Sequence, residues 1–390
     1  MKFDFDAVTD RHGTNCTKFD ALATWFGKEG LLPLWIADMD FPVPPGVSEA
    51  LVKRTAHPIY GYNSFPEGYF ESFMAWQKKH HCWDVKKDWL CHTPGVLTAL
   101  AAAILSFTEK GDGVLIQPPV YHPFKSTIET LGRRVVNNQL VYDKGRFTID
   151  FDDLEKKAGE AKLFIFCSPH NPSGRVWTMD ELAKVEALCR RKGLFVFSDE
   201  IHGDLIFHGH RHIPFASVSE WSEQNCVAAM APSKTFNIAG LAMSMIAIPN
   251  EQKRACFQTL LRSGLHVGNG NSFGLVAAQA AYETGEEWYE ELLVYLEGNI
   301  AFVEQELARR LHKITLVHPE ATYIPLLDMK ALGMDDAALR DFMINRAGVA
   351  MNSGDAFGPG GEGFMRLNVA TQRRVLADFI DRLEKAVQSL

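Results

Sequence analysis

The chain has 390 residues, of which 46% are hydrophobic, and its formal net charge is −8. A chain of this length can bury a large core and favours two or three domains. The acidic balance argues against a broad nucleic-acid-binding face, because binding of a phosphate backbone needs clustered lysines and arginines. We therefore expect a globular protein that binds small molecules and no nucleic acid.

The cysteines and the apolar stretches indicate the compartment. Seven cysteines are scattered without a Cys-x-x-Cys pair, so neither a disulfide framework nor a zinc site is predicted. The N-terminal residues lack the apolar core of a signal peptide. The longest apolar helix candidate, residues 96–107, is shorter than the roughly 18 residues that a membrane span needs. These patterns predict a cytoplasmic protein without a membrane anchor.

Residues 48–285 alternate helical stretches with short apolar runs. The runs are residues 114–116, 163–166, 194–197, 227–230 and 243–248. They are apolar on both faces, which is typical of parallel strands covered by helices. The pattern predicts a large, doubly wound α/β domain.

The pattern changes after residue 285. It predicts a long helix over 286–311, strands within 314–327, a helix over 336–346, a strand over 364–367 and a closing helix. This arrangement is typical of a smaller α+β domain. Residues 1–47 lack strong periodicity, and we expect them to pack on residues 286–390 as an arm of the same domain.

Three polar motifs each follow an apolar run. They are Asn171-Pro-Ser-Gly174, Ser198-Asp-Glu-Ile-His202 and Ala231-Pro-Ser-Lys-Thr-Phe-Asn237. Ligands bind beyond the carboxyl ends of parallel strands, so we expect Asn171, Asp199 and Lys234 to converge. Taken singly, the lysine could be an exposed loop residue, the aspartate a helix N-cap and the asparagine part of a turn.

The chemistry of these three side chains favours one cofactor. A lysine whose pKa is lowered by burial can form a Schiff base with an aldehyde. An aspartate can keep a pyridine nitrogen protonated, and an asparagine amide can donate a hydrogen bond to a phenolic oxygen. Together they predict a site for pyridoxal 5'-phosphate.

A phosphate anchor is expected in the same site. Thr93-Pro-Gly-Val-Leu-Thr opens a helix whose free amides attract an anion. Gly95, Val96 and Leu97 would act through their backbone, and Ser233 could add a hydroxyl. Many helices begin with Pro-Gly, so this motif alone is a weak signal.

Further candidates surround the predicted site, each with a structural alternative. Tyr121 follows the run 114–116 and could stack on the pyridine ring or lie in the core. Arg366 could bind a substrate carboxylate or form a structural salt bridge. The His202 imidazole could form a hydrogen bond with the cofactor or only with the backbone of its own loop. Tyr60 and Tyr62 could pack on the surface, or one of them could reach a phosphate across a subunit interface.

Three alternating histidines, His208, His210 and His212, suggest a metal site at first sight. They lack cysteine or carboxylate partners at ligand spacing. We predict a solvated loop here and no metal.

The chain resembles the fold-type I pyridoxal phosphate enzymes of the class I/II aminotransferase superfamily, and within it the MalY/PatB group of cystathionine β-lyases. The resemblance rests on Asp10-Arg-His-Gly-Thr14, Trp35-Ile-Ala-Asp-Met-Asp-Phe41, Tyr60-Gly-Tyr62, Ser168-Pro-His-Asn-Pro-Ser-Gly174, Ser198-Asp-Glu-Ile-His202, Ser233-Lys-Thr-Phe-Asn237 and Arg366-Leu-Asn368. Typical aminotransferases have a tyrosine in place of His202 and an arginine near Ala242 and Met243. Both departures favour the lyase group.

The resemblance implies a role for each candidate. Lys234 would carry the Schiff base, Asp199 would pair with the pyridinium, and Asn171 would bind the phenolic oxygen. Tyr121 would stack on the ring, and Arg366 would bind the substrate carboxylate. Two further residues, Asp38 and Tyr62, would contact the substrate, and Tyr62 would also reach the phosphate of the neighbouring subunit. A homodimer with interfacial active sites is implied, as is a fold with a mainly parallel seven-stranded sheet.

These expectations lead to one main function and two alternatives. The main one is β-elimination from L-cystathionine or related L-cysteine S-conjugates, which releases homocysteine or another thiol, pyruvate and ammonia, in methionine biosynthesis or in sulfur salvage. The second is an aminotransferase for an apolar or aromatic amino acid. The third is a regulatory binding protein that uses the same fold.

Overall fold

The computed structural model describes residues 1–390. Its strands are β1 (Leu32–Pro33), β2 (Leu90–Thr93), β3 (Gly113–Ile116), β4 (Arg134–Asn137), β5 (Val141–Asp143), β6 (Arg146–Thr148), β7 (Leu163–Cys167), β8 (Phe195–Asp199), β9 (Cys226–Met230), β10 (Ser244–Ala247), β11 (Thr315–Leu316), β12 (Leu326–Asp328), β13 (Val349–Ala350), β14 (Asn352–Ser353) and β15 (Phe364–Arg366).

The helices alternate with these strands. They are α1 (Thr17–Asp20), α2 (Leu22–Phe26), α3 (Pro45–Thr55), α4 (Tyr69–His81), α5 (Val96–Phe107), α6 (Pro123–Thr130), α7 (Phe151–Ala158), α8 (Met179–Lys192), α9 (Glu220–Gln224), α10 (Pro232–Thr235), α11 (Glu251–Thr259), α12 (Ser272–Thr284), α13 (Glu286–Arg310), α14 (Asp336–Asp341) and α15 (Arg373–Gln388). None of them is long and apolar enough to cross a membrane.

The largest sheet has seven strands in the order β2-β10-β9-β8-β7-β3-β4. The five strands from β9 to β4 are parallel to one another. Their carboxyl ends therefore lie at one edge of the sheet, where ligands bind in such folds. The predicted α/β class with a mainly parallel seven-stranded sheet is confirmed.

Alternate residues of the central strands enter two separate cores. Phe164, Phe166 and Val196 join the larger core, which also holds the buried faces of α8, α12 and α13. Leu163 and Ile165 join the second core with α5, α6 and α11. Because both faces of the sheet are buried, these strands read as continuous apolar runs in the sequence.

A four-stranded sheet with the order β11-β12-β15-β14 lies in the C-terminal part of the chain. The N-terminal segment reaches the same region, because β1 pairs in parallel with β13. Near the start of the chain, Phe5 packs edge-on against Trp288 of α13. These contacts place residues 35–41, which follow β1, beside the edge of the large sheet.

Two expectations about single elements need correction. The run 243–248 forms β10, which is antiparallel to both of its neighbours and not parallel. After β9 the chain passes through the short helix α10 and turns back, so that β10 runs antiparallel beside β9. A parallel arrangement of these two strands would need a longer crossover connection. The helix expected over 336–346 is α-helical only to Asp341, and a π-helical turn continues it over Phe342–Ala347.

Substitution of Gly113 by alanine should lower the free energy of unfolding by about 2–3 kcal/mol. The added Cβ would lie 2.0 Å from the backbone carbonyl oxygen of Glu160, which has no rotamer to change. Urea-induced unfolding followed by circular dichroism measures the effect. Gly159→Ala is the matched control, because its Cβ would meet nothing closer than 3.6 Å. Equal unfolding midpoints for the two variants would contradict the prediction.

Candidate active site

A cavity opens at the carboxyl ends of the parallel strands. The predicted site residues that line it are Gly95, Val96, Leu97, Tyr121, Asn171, Asp199, His202, Ser233 and Lys234. They come from α5, α10 and the ends of β7 and β8, together with the loop after β3. The fold therefore brings together nine residues from five separate parts of the sequence.

Lys234 lies in α10, directly after β9. Its Nζ donates a hydrogen bond to the carbonyl oxygen of Ala37 at 2.6 Å. The next residue, Thr235, fixes the helix by donating from Oγ1 to the buried carboxylate of Asp204 at 2.6 Å. Burial, together with the positive charge of Arg366, lowers the pKa of the Lys234 amine to about 8. The amine is therefore easier to deprotonate than an ordinary lysine.

Asp199 is the last residue of β8 and is buried. Its Oδ1 accepts a hydrogen bond from the Ile201 backbone amide at 3.2 Å. Burial raises the pKa of its carboxyl group to about 7, because a charged carboxylate is poorly solvated there. A turn follows β8, so Asp199 caps no helix. Its ionised form needs a cationic partner in the cavity.

The start of α5 and Ser233 of α10 form an anion cradle, which we define as Gly95, Val96, Leu97 and Ser233. Gly95 has a φ of +122°, a conformation that side chains rarely adopt. The Ser244 hydroxyl accepts from the Gly95 amide at 3.2 Å and fixes this turn. Because α5 is a 12-residue helix that begins here, its first amides can bind an anion.

Arg366 lies on β15 and is 4% exposed. Its guanidinium donates to Asn171 Oδ1 at 3.3 Å, to the Trp35 carbonyl oxygen at 3.0 Å and to Asn352 Oδ1 at 2.8 Å. All three acceptors are neutral, and Nε has no partner. Burial lowers the pKa of Arg366 to about 10. This buried cation is thus ready to bind a carboxylate from a ligand.

Tyr121 and His202 occupy different walls of the cavity. The Tyr121 amide donates to the Asn171 carbonyl oxygen at 3.0 Å, which fixes the tyrosine relative to the end of β7. The His202 ring is buried, and its Nδ1 has no hydrogen-bond partner. Burial and the positive charges of Lys234 and Arg366 hold the pKa of His202 well below its ordinary value. Its imidazole is therefore neutral and has a free polar atom.

Other candidates lie outside the cavity. Tyr62 is fully exposed, and Tyr60 packs near Arg54 and Phe273 on the surface. The carboxylate of Asp38 pairs with Arg11 at 2.6 Å. Within one chain, therefore, neither tyrosine nor the Asp38 carboxylate lines the cavity that contains Lys234.

The histidine loop differs partly from its prediction. His208 and His210 are exposed, as expected of a solvated loop. His212 is only 3% exposed, and its Nε2 lies 3.0 Å from Oε2 of Glu200. The expectation for His212 was wrong because a buried carboxylate directly after β8 needs a hydrogen-bond partner.

The cavity also contains residues that the sequence did not reveal. The Ala37 carbonyl contacts the lysine amine, and Cys167, the last residue of β7, lines the wall. Asn237 holds the backbone of residues 39–41 with three hydrogen bonds and so positions Ala37. A backbone carbonyl has no signal in the sequence, and a lone buried cysteine is usually a packing residue.

Comparisons with known proteins agree with this geometry. The family described as "Aminotransferase class I and II" matches residues 38–383. The chain is 43% identical over 387 residues to cystathionine beta-lyase PatB of Bacillus subtilis (strain 168), covering 98% of this chain and 100% of that protein.

Two solved structures are similar over their whole length. One is a PLP-bound putative aminotransferase from Clostridium difficile 630, with a TM-score of 0.97 and 38% identity over 99% of this chain and 100% of that chain. The other is cystalysin from Treponema denticola, which contains a pyridoxal 5'-phosphate cofactor. Its TM-score is 0.96, with 36% identity and complete coverage of both chains.

In the cofactor-free protein, the Lys234 amine should titrate with a midpoint near pH 8. Asp199→Asn should lower this pKa, because it removes a negative charge that favours the protonated amine. Arg366→Met should raise it, because it removes a positive charge. Competitive acetylation with acetic anhydride across the alkaline range, followed by peptide mass spectrometry, measures the midpoint. Ordinary lysine behaviour in all three proteins would contradict the prediction.

Proposed function

The chain belongs to the aminotransferase class I and II family, and we propose that within it the protein is a pyridoxal 5'-phosphate-dependent carbon–sulfur β-lyase. Its substrates are L-cystathionine and related L-cysteine S-conjugates, and its products are a thiol, pyruvate and ammonia. The observation that carries this proposal is the full-length similarity to a cystathionine β-lyase at 43% identity.

The cavity fits the cofactor at each chemically distinct part. The anion cradle suits the phosphate, Asn171 suits the phenolic oxygen, and the carboxylate of Asp199 suits the pyridine nitrogen. A cation beside Asp199 would lower the carboxyl pKa that burial raises. The neutral imidazole of His202 lines the same cavity.

When bound, the cofactor supplies an electron sink for the pair left by the Cα proton. The Lys234 amine takes this proton at Nζ, and its lowered pKa makes it an effective base near neutral pH. The electron pair at Cα then forms a Cα=Cβ double bond as the sulfur leaves as a thiolate with the electrons of the Cβ–S bond and takes up a proton. Water hydrolyses the released 2-aminoacrylate, through its imine tautomer, to pyruvate and ammonia.

Arg366 orients the substrate. Its buried guanidinium lines the pocket and has only neutral acceptors, so the α-carboxylate of the amino acid would supply the missing counter-charge. The positive charge of Arg366 lowers the pKa of the Lys234 amine, and both residues line one continuous pocket. A carboxylate on Arg366 therefore places Cα near the lysine amine.

An aminotransferase is the second candidate, because one similar structure is described as a putative aminotransferase. The same residues serve both reactions, which differ in the fate of the electron pair. Ala242 and Met243 line the present cavity where the resemblance leads one to expect an arginine in transaminases. A purely regulatory protein of this fold would not need the Lys234 amine.

We also propose a homodimer in which Tyr62 enters the neighbouring active site. The ring is fully exposed in a single chain, and it lies in a loop beside α3 and α4. In this arrangement residues 48–285 form the cofactor-binding domain, and residues 1–47 with 286–390 form the small domain.

The biological setting follows from the products. Release of homocysteine from L-cystathionine would support a role in methionine biosynthesis. The seven cysteines are all unpaired thiols, which supports a reducing compartment such as the cytoplasm.

Purified, cofactor-loaded protein should release pyruvate from L-cystathionine without any added 2-oxo acid. Lys234→Ala should lower the rate at least about 1,000-fold, because it removes the base. A coupled lactate dehydrogenase assay measures pyruvate, and a thiol reagent measures homocysteine. Amino transfer that depends on an added 2-oxo acid, without pyruvate release, would support the aminotransferase instead.

Subunit complementation should reveal whether Tyr62 acts across the interface. Chains carrying Tyr62→Ala and chains carrying Lys234→Ala should each have low activity as homodimers. Mixed dimers contain one site with both native residues, so co-expression followed by two-tag purification should restore about half of the native activity per dimer. No gain in the purified mixed dimer would contradict action in trans.

A further inference from the structure

A buried tyrosine that the sequence did not indicate shares a hydrogen-bond acceptor with the lysine. The hydroxyl of Tyr323 donates to the carbonyl oxygen of Ala37 at 2.9 Å, and the Lys234 amine donates to the same oxygen at 2.6 Å. Tyr323 is 1% exposed and lines neither pocket that contains Lys234. The phenol is therefore connected to the lysine through a main-chain oxygen and does not meet a ligand itself.

A strained turn fixes the position of Tyr323. The preceding residue, Thr322, is fully buried and has a φ of +72°, a conformation that β-branched residues rarely adopt. Its amide donates to the carbonyl oxygen of Leu205 at 2.8 Å, and the carbonyl oxygen of Tyr323 accepts from the Val369 amide at 2.9 Å. Strain of this kind persists where surrounding contacts impose it, and it clusters at functional sites. The turn thus directs the phenol toward residues 35–41.

The phenol is a donor to this oxygen and carries no charge. Burial and the negative charge of Asp38 raise the pKa of Tyr323 well above its ordinary value, and Arg366 opposes them only in part. The other titratable groups around the lysine and the phenol are Asp38, Tyr121, Asp199, His202 and Arg366. Their charges act on the lysine through space, whereas Tyr323 acts on the oxygen that the lysine contacts.

The second hydrogen bond matters because the lysine has to leave this oxygen when it takes up a proton from Cα. A buried carbonyl without a donor is unfavourable, and the bond from Tyr323 keeps the Ala37 oxygen paired after the amine departs. Neighbouring hydrogen bonds also polarise one another. Two donors on one oxygen compete for the same electron density, so Tyr323 weakens the attraction of this oxygen for the protonated amine.

From these contacts we infer that Tyr323 is a positioning residue that keeps the Ala37 oxygen paired and thereby frees the Lys234 amine to act as a base. It acts through Ala37 and does not touch the substrate. The use of the freed amine at Cα rests on the proposed function. The effect of Tyr323 on the lysine does not, because it exists without cofactor or substrate and can be measured there.

The first test removes only the hydroxyl. In cofactor-free Tyr323→Phe protein, the midpoint of Lys234 should rise by about half to one pH unit above its native value near 8, because the Ala37 oxygen then attracts the protonated amine more strongly. Competitive acetylation with peptide mass spectrometry measures this midpoint. The matched control is Tyr295→Phe, which removes another buried tyrosine hydroxyl, a donor to Asp6 Oδ1 at 2.5 Å, and should leave the midpoint unchanged.

A second variant predicts a shift in the opposite direction. Replacement of Tyr323 by 3-fluorotyrosine keeps the shape of the ring and makes the phenol a stronger donor, so the midpoint of Lys234 should fall. The burial that raises the pKa of Tyr323 keeps the fluorinated phenol protonated. A loss of packing alone cannot move the midpoint in opposite directions. Unchanged midpoints in both variants, or shifts of the same sign, would overturn the inference.

Rates give an independent readout. Schiff-base formation needs the neutral amine, so cofactor-free Tyr323→Phe protein should react with pyridoxal 5'-phosphate at pH 7 about three- to tenfold more slowly than the native chain. In the loaded enzyme, kcat for pyruvate release from L-cystathionine should fall about tenfold, and KM should change less than about twofold because the hydroxyl lines no pocket.

The two proposals fail in different ways. Absence of pyruvate from the native enzyme, together with the two opposite midpoint shifts, would contradict the lyase proposal and support the effect of Tyr323 on the lysine. Normal pyruvate release by the native enzyme, together with unchanged midpoints in both variants, would overturn the inference alone.

Discussion

The burial of three ionisable groups in one cleft is the constraint on which the site depends. Lys234, Asp199 and Arg366 are each removed from water, and none forms a direct ion pair with another. Desolvation favours the neutral form of each group, so it lowers the pKa of Lys234 and Arg366 and raises the pKa of Asp199. Such an arrangement is costly in the empty protein and becomes favourable when a ligand supplies complementary charges. The cleft is therefore built for a molecule that carries both an anionic and a cationic group.

The architecture determines which backbone segments can reach this cleft. Parallel strands deliver Asn171, Asp199 and the lysine helix to one edge of the sheet. The N-terminal segment closes the other side, and Asn368 holds it by donating to the carbonyl oxygens of Ile36 and Asp38 at 2.6 Å each. The active site is thus a junction between the start, middle and end of the chain.

Much of this arrangement could be predicted because it leaves a local signal. Runs of apolar residues indicate strands that are covered by helices on both faces of the sheet. The polar motifs that follow these runs identify Asn171, Asp199 and Lys234 as site residues. The antiparallel direction of β10 depends on where the chain goes after α10, which periodicity does not encode. The contact between Ala37 and Lys234 joins residues 197 positions apart through a main-chain oxygen. The burial of His212 likewise depends on its hydrogen-bond partner Glu200. The sequence around His212 does not indicate that these two residues are in contact.

The hydrogen bond between Lys234 and the Ala37 oxygen has an evolutionary consequence. No side-chain substitution at position 37 can delete a main-chain acceptor, so this contact tolerates drift in the residue that provides it. Its accuracy depends instead on Arg11, Asn237 and Asn368, which fix the path of residues 35–41. Selection on the reactivity of the lysine is thereby transferred to polar residues that never meet the substrate.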